Sequence, residues 1–419
     1  MNNSRRPNRH QRVVVLCPHF APDTAPTGDV MTRIVHEMAA LDVEVHVVTS
    51  LPWYRYHAVE EGWTGRLIRR ECTTWGSVTR VHPFPSKSKR NLFARAVAFV
   101  AFSVLAGVCA LFVGGWRRRV TAIIAMSPPL TLGLTGWFVG VVRRAPLVFN
   151  IQDVFPDAAI QTGAITNRRV IAVASWLERL SYKRSKAVVV LSEDLRRNVA
   201  AKLPASLASR VHVIPNFVDS EAIVPADRLT DYRKEMSIGD ETVVMYSGNV
   251  GFSQSLDLVI NAARYFPDVT FLVNGEGSAR DTLRAAAVGV ANMRFGEYQP
   301  KERLTEVLAT GDIHVVPLRR GLGSVSVPSK TYSILAAGRP VLAAIDSDTE
   351  VTRILASSGA GVSVAPDDVE QFRRGLRELL EDEAGRRAMG TAGRAWVETH
   401  VSPHAVGRSY VDLISSVGN

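Results

Sequence analysis

Lys330 stands in the stretch VPSKTYSILAAGRPVLA, Val327 to Ala343, with hydroxyls at Ser326, Ser329 and Thr331 beside it. A lysine next to the free N–H groups of a helix start suits an anion, above all a phosphate. Pro328 fits such a start, because its missing N–H leaves no bond unmade there. The same residues also suit an ordinary helix start, and a solvated surface lysine. A second candidate is the loop YSGNVG, Tyr246 to Gly251, where Gly248 and Gly251 let backbone N–H groups approach a phosphate closely. Glycines between strand and helix are equally common as turns. The loop lacks the lysine–serine pair of a P-loop and the full G-x-G-x-x-G spacing, which argues against both of those sites. NGEG, Asn274 to Gly277, reads as a plain turn. Asp153 follows an apolar strand with Pro156 and Asp157 close behind, and serves a helix cap as readily as a ligand. His19 and Asp29 could contact a sugar or a leaving phosphate, or be structural. The chain shows no Ser-His-Asp order, no metal-ligand spacing and no catalytic cysteine context, so neither a metal nor another cofactor is expected.

These residues need elements to hold them. Val13–Cys17, Glu44–Thr49, Ala122–Ala125, Leu147–Ile151, Ala187–Leu191 and Val211–Ile214 read as strands, with helical stretches between them. Residues 51 to 90 are loop-rich and aromatic, and Val81–Pro83 reads as a short strand. The alternation breaks over residues 217 to 240, a polar stretch suited to a linker. It restarts at Thr242, with strands to Tyr246 and at Thr270–Val273, Met293–Phe295, Ile313–Pro317, Val341–Ala344 and Gly361–Val364. Alternating strands and helices indicate parallel sheets covered on both faces. The expected fold class is α/β, with two Rossmann-like, doubly wound domains facing a central cleft. The expected bounds are 1–217 and 241–400, with a linker at 218–240 and a last helix in 401–419. Ligands of such sheets bind beyond the carboxyl ends of the strands. In the first half those ends carry Gly28-Asp29, Asp153, Ser192 and Asn216. In the second they carry Ser247-Gly248-Asn249, Gly275-Glu276-Gly277, Gly296-Glu297-Tyr298 and Ser326 to Lys330.

The 419 residues suffice for two domains, and 46% hydrophobic with 21% charged residues is a globular composition. The formal net charge of +10 fits nucleic acid, an anionic membrane or phosphorylated substrates. The basic residues cluster mainly beside one apolar helix, so no nucleic acid is expected as a partner. Three scattered cysteines, Cys17, Cys72 and Cys109, imply no disulfide framework and fit a reducing, cytoplasmic compartment. From Ala96 to Gly115 roughly 20 residues run without a charge, close to bilayer-spanning length. Arg90 and Arg95 precede this run, and Arg117, Arg118 and Arg119 follow it. A true span would put two halves of one domain on opposite sides of a membrane. A wholly buried core helix is an alternative. The favoured reading is a surface helix dipping into the cytoplasmic leaflet with its arginines on anionic head groups. Leu130 to Val142, with Trp137 and Phe138, extends that face.

The segments PHFAPDTAPTGD, IQDVFPDAA (Ile151 to Ala159), VVLSEDL (Val189 to Leu195), VIPNFVD (Val213 to Asp219), YSGNVGFSQSLD (Tyr246 to Asp257) and VPSKTYSILAAGRPVLA together resemble glycosyltransferase family 4. These are the retaining GT-B enzymes that use nucleotide-sugar donors, and the resemblance covers nearly the whole chain. The SGN, QD-x-x-P-D and PSK-x-Y pieces are most similar to the subgroup that includes L-fucosamine transferases. The resemblance implies a C-terminal domain that holds the nucleotide, an acceptor-side N-terminal domain, and a last helix crossing back to the N-terminal domain. It implies donor contacts from Gly28, Asn216, Ser247, Gly248, Asn249, Gln254, Glu297, Tyr298, Ser326, Pro328, Ser329 and Ser333, and catalytic roles for Asp153 and Lys330. There are departures from the family pattern. Its paired glutamates fall at Val325 and Ser333, and its two cleft cations fall at Asn249 and Gln254.

The function this implies is a membrane-associated retaining glycosyltransferase. It moves a sugar of the N-acetylated hexosamine type from a nucleotide donor, UDP-linked, to a lipid-linked or glycan acceptor in cell-surface polysaccharide biosynthesis. A nucleotide-sugar epimerase on the same fold is a second reading. A non-catalytic nucleotide-sugar-binding membrane partner is a third, motivated by the missing glutamates.

Overall fold

The computed structural model describes residues 11–56, 58–85, 92–152, 154, 157, 167–322 and 330–418. The chain divides into two compact units, residues 1–216 with 406–419, and residues 217–405. Among the described residues the first unit's sheet has eight strands: β1 (Arg12–Leu16), β2 (Glu44–Ser50), β3 (Ile68–Thr73), β4 (Gly76–Val81), β5 (Ala122–Ser127), β6 (Leu147–Ile151), β7 (Ala187–Val190) and β8 (Val211–Val213). Their order is β3-β4-β2-β1-β5-β6-β7-β8. All neighbours run parallel except β3 and β4, which pair antiparallel from Ile68 opposite Val81 to Thr73 opposite Gly76. The central strands are mostly apolar and buried along almost their whole length, as a covered parallel sheet requires.

The hairpin corrects the short strand expected at Val81–Pro83. β4 spans Gly76–Val81 and extends the sheet beside β2, with β3 as the outer strand. β3 reads IRRECT, and its residues alternate between exposed and half-buried, so a charged edge strand replaces the loop.

The apolar segment forms a helix over Leu92–Phe112 that packs on the sheet through one stripe only. Phe102, Ala106 and Ala110 join the core, while Val100, Val104, Val108 and Phe112 are exposed at i, i+4 spacing. This excludes a wholly buried core helix. Among the described residues no helix is long and apolar enough to cross a membrane. Arg143, in the next helix (Thr131–Arg143), ties the segment down. Its guanidinium donates to the carbonyls of Leu111 at 2.7 Å, Val113 at 3.1 Å, Gly115 at 3.1 Å and Arg118 at 3.2 Å. One of these carbonyls, that of Leu111, is in the last turn of the helix, and the other three are in the segment that follows it. A Cβ on Gly136 of that helix would lie 2.8 Å from Leu147 Cδ1 and 2.9 Å from Ala125 Cβ, so the helix sits tightly on β5 and β6.

The last helix, Pro403–Gly418, belongs to the first unit from Val406 onward. Its Tyr410 is buried and accepts a hydrogen bond from Asn150 Nδ2 on β6. Gly407 packs against Glu37 in the helix Pro26–Ala40, and Ser415 accepts from Gln11 at 2.7 Å.

The second unit has six described parallel strands, β9 (Val243–Ser247), β10 (Thr270–Asn274), β11 (Met293–Gly296), β12 (Ile313–Pro317), β13 (Val341–Ala344) and β14 (Gly361–Val364), in the order β11-β10-β9-β12-β13-β14. The stretch expected to be a linker at 218–240 is packed into this unit. It forms a helix over Asp231–Glu235, and Tyr232 and Arg233 are almost wholly buried. Arg233 donates to the carbonyls of Gly239 at 2.7 Å and Thr310 at 3.2 Å. Its polar composition serves buried hydrogen bonding rather than a free connection.

Candidate functional site

The site in the second unit is built at the carboxyl ends of β9 and β10. Tyr246 is the last fully buried residue of β9, and its hydroxyl donates to the carbonyl of Asn249, pinning the loop that follows. Gly248 takes φ +134°, open to glycine at little cost. Its N–H donates to the carbonyl of Asn274 at 2.9 Å, and Val250 N–H donates to Glu276 O at 2.8 Å. The two loops thus lie against each other. A Cβ on Gly275 would sit 1.9 Å from the Gly248 carbonyl oxygen, so the NGEG segment is no plain turn. Its glycine is needed for the close approach of the Gly248 loop.

Lys330 begins the described helix Lys330–Ala336, whose buried residues, Ile334 and Leu335 among them, anchor it in the core. With seven described residues this helix offers little dipole. Lys330 is marked instead by its surroundings. Its ammonium donates to Tyr246 Oη at 2.6 Å and lies 3.8 Å from the centre of that ring. A Cβ on Gly248 would lie only 3.0 Å from Lys330 Nζ. Loss of water around the amine lowers its pKa from 10.5 to about 7. Burial pushes the Tyr246 hydroxyl well above its usual range, so it stays protonated.

Lys330, Ser247, Gly248, Asn274, Tyr298 and Ser333 line one cavity of about 170 Å³. Lys330 is its single charged lining residue among those described. Ser333 lies one turn beyond Lys330 on the same helix face. Tyr298 is more than half exposed at the rim, and Glu297 beside it is exposed. Asn249 is exposed on the Gly248 loop. Gln254 does not face the cavity: its Oε1 accepts the Gly251 N–H at 2.9 Å and closes the loop on itself. Arg319 flanks the same loop, donating to Phe252 O at 3.2 Å, but it is paired with Asp257 at 3.0 Å and Asp367 at 3.3 Å.

Gly28 and Asn216 belong to the first unit. A Cβ on Gly28 would lie 2.9 Å from His19 Cβ, so glycine lets the first helix meet the loop after β1. Asn216 Nδ2 donates to Gln152 Oε1 at 3.1 Å, and Gln152 donates to Asn150 Oδ1 at 2.7 Å. With Tyr410 these form a polar chain that braces the end of β6. Asp153, Val325, Ser326, Pro328 and Ser329 lie outside the described residues. A more voluminous depression, about 1070 Å³, opens at the amino ends of β1 and β2 around Arg12, Glu44 and His46. Those groups are paired with one another, with Arg12 2.5 Å from Glu44 and His46 3.1 Å from it. Sheets of this kind bind ligands at the other end.

Residues 27–216 match the family model of the glycosyl transferase 4-like domain, and residues 227–396 match that of glycosyl transferases group 1. The chain belongs to glycosyltransferase family 4. This glycosyltransferase is 27% identical over 384 residues to the Escherichia coli (strain K12) protein named as a colanic acid biosynthesis glycosyl transferase, WcaI, covering 88% of this chain and 92% of that one. Its fold is GT-B, as in sucrose-phosphate synthase from Thermosynechococcus elongatus, with TM-score 0.69, 15% identity, and 97% and 98% of the two chains covered. Anabaena HepE, in complex with UDP and glucose, superposes with TM-score 0.62 at 12% identity, covering 97% of this chain and 100% of that one.

Tyr246, Asn274 and Tyr232 join the site without having been singled out from the sequence of this glycosyltransferase. Tyr232 donates to Asn274 Oδ1, which orients the Asn274 amide at the cavity wall. The available signal was a polar residue closing each of two otherwise apolar strands, VVMYS and FLVN.

Proposed function

We propose that this glycosyltransferase moves a sugar from a nucleoside diphosphate donor to a lipid-linked or glycan acceptor during assembly of a cell-surface polysaccharide. The observation that carries this reading is the Lys330 ammonium held against the Gly248 loop. A poorly hydrated amine beside a glycine turn is a site waiting for an anion, and a diphosphate supplies one. Lys330, Ser247 and Gly248 then hold the diphosphate, Ser333 takes a ribose hydroxyl, and Glu297 and Tyr298 border the base. The likeness to HepE with bound UDP favours a UDP-linked donor, and the likeness to WcaI favours polysaccharide assembly. An N-acetylated hexosamine type of sugar rests on the SGN, QD-x-x-P-D and PSK-x-Y pieces.

The chemistry is chiefly electrostatic. The bond from the anomeric carbon to the diphosphate breaks as Lys330 stabilises the departing charge. The acceptor oxygen bonds to the same face of the sugar, giving retention, and its proton passes to the leaving phosphate oxygen. The protein's share is orientation and charge stabilisation.

The reading includes peripheral attachment to the cytoplasmic face of a membrane. Val104, Val108, Phe112 and Trp116 present an exposed apolar edge, and Phe138 and Val141 continue it on the next helix. Arg117, Arg118, Arg119 and Arg144 are exposed beside it, suiting anionic head groups.

Replacing Lys330 by alanine tests the site. Turnover of a radiolabelled UDP-sugar falls by well over about tenfold if Lys330 stabilises the leaving group. Unchanged turnover refutes the assignment.

A further inference from the structure

The first unit carries a second group of chemical side chains that the diphosphate site does not use. It lies at the carboxyl ends of β1 and β2, where parallel sheets take their ligands. His19 follows β1, and its Nδ1 lies 2.6 Å from Asp23 Oδ2. The Asp23 side chain is fully buried, and its other oxygen accepts the Tyr54 N–H at 3.1 Å. A carboxylate can only accept, so this contact requires the imidazole to carry its proton on Nδ1. In this tautomer the neutral form of the ring keeps a lone pair on Nε2. Trp53 stacks on the ring at 5.6 Å with planes 25° apart, and Tyr54 meets it edge-on at 5.3 Å. Gly28 backs it from the helix side. The imidazole is therefore fixed in tautomer, tilt and position by three segments of chain.

A histidine oriented this firmly by a buried carboxylate has the build of a functional group. Beside it Tyr54, a large aromatic residue, is exposed. Aromatic faces next to one fixed hydrogen-bond acceptor suit a sugar ring, whose C–H faces pack on aromatics while its hydroxyls donate. They suit a bare lipid phosphate poorly, because an acceptor lone pair repels an anion. We propose that His19 Nε2 accepts a hydrogen bond from a hydroxyl of the acceptor, that Asp23 positions it, and that the acceptor presents a sugar ring here. This rests on the transferase reading above, since it assigns the acceptor side of that reaction.

The test uses the full chain labelled with 15N-histidine. The wild-type His19 ring shows a protonated Nδ1 and a bare Nε2. Adding methyl α-glucoside, methyl α-galactoside or methyl α-mannoside shifts the Nε2 resonance for at least one of the three. Asp23→Asn, whose amide can donate to Nδ1, moves the proton to Nε2 and abolishes that shift, while calorimetric affinity for UDP stays within about twofold. A bare Nδ1 in the wild type overturns the proposal, and so does a ring that ignores all three sugars. These readouts need neither donor nor turnover. A failure of the transferase reading itself would show as absent UDP binding with the His19 response intact. Where transfer is measured, His19→Ala raises the acceptor KM at least about tenfold with donor affinity unchanged. An unchanged acceptor KM contradicts it.

Discussion

Lys330 Nζ donates to Tyr246 Oη at 2.6 Å while lying 3.8 Å from the centre of the same ring. One aromatic residue thus serves as hydrogen-bond acceptor and as cation–π partner. These contacts hold the amine at the Gly248 loop, yet they do not replace its lost water, so its pKa falls from 10.5 to about 7.

That depression has a definite sign. Above pH 7 the folded, ligand-free protein holds mostly neutral lysine. A diphosphate beside the amine favours the charged form, so nucleotide binding takes up a proton. Uptake is near one per site at about pH 8 and falls away by about pH 6. Calorimetry of UDP binding in buffers of different ionisation enthalpy measures it directly. The stability consequence runs the same way. Folding disfavours the charged amine below pH 7, and that cost fades between 7 and 10.5. Lys330→Met therefore stabilises the ligand-free protein by about 1–2 kcal/mol at neutral pH, and the gap narrows toward pH 10. Denaturation curves at the two pH values show whether it does.

Gly248→Ala strikes the loop and the lysine together. At φ +134° a side chain is strained, and the new methyl would lie 3.0 Å from Lys330 Nζ and 3.2 Å from Cε. Nucleotide affinity falls by at least about tenfold, and thermal stability falls by about 1–3 kcal/mol. Titration and a melting curve on one sample read both effects.

The strands of both sheets were legible because covered parallel strands are short unbroken apolar runs, as at Val13–Leu16 and Leu342–Ala344. The β3–β4 hairpin was not legible. Arg69, Arg70 and Glu71 fill an edge strand whose faces both meet solvent, so its alternation does not separate apolar from polar residues. Tyr232 and Arg233 were hidden in the same way, since a buried arginine bonded to carbonyls reads as a polar linker residue. In the candidate site, Lys330, Gly248 and Ser333 could be named from loop chemistry and resemblance. Tyr246 could not, because it lies 84 positions from its lysine and reads as one more strand residue. Gln254 is a donor contact by the resemblance, whereas its amide oxygen closes the Gly251 turn.

Ser333 stands where the family pattern places a carboxylate, and it lines the cavity with Lys330. If its hydroxyl meets the ribose, Ser333→Ala weakens UDP binding by about 0.5–1.5 kcal/mol. The variant then binds UDP and its 2′-deoxy and 3′-deoxy analogues with affinities closer to one another than the wild type does. Equal discrimination by both proteins contradicts the ribose contact.

The exposed edge of the helix Leu92–Phe112 predicts partition to lipid. Val108→Ser with Phe112→Ser lowers binding to vesicles of mixed anionic and zwitterionic lipid by about tenfold or more. Glutamine at Arg117, Arg118 and Arg119 lowers it on anionic vesicles, by about 1 kcal/mol per arginine at low salt, and leaves binding to zwitterionic vesicles little changed. Sedimentation with the two kinds of vesicle separates the contributions.

The central claim is that Lys330 and the Gly248 loop hold the donor diphosphate. Calorimetry of the purified protein with UDP, GDP and ADP, repeated with Lys330→Ala, tests it most directly. The account predicts selective binding of one nucleotide, with UDP favoured, and at least about tenfold weaker binding in the variant. Equal affinity in wild type and variant, or no binding of any of the three, would contradict it.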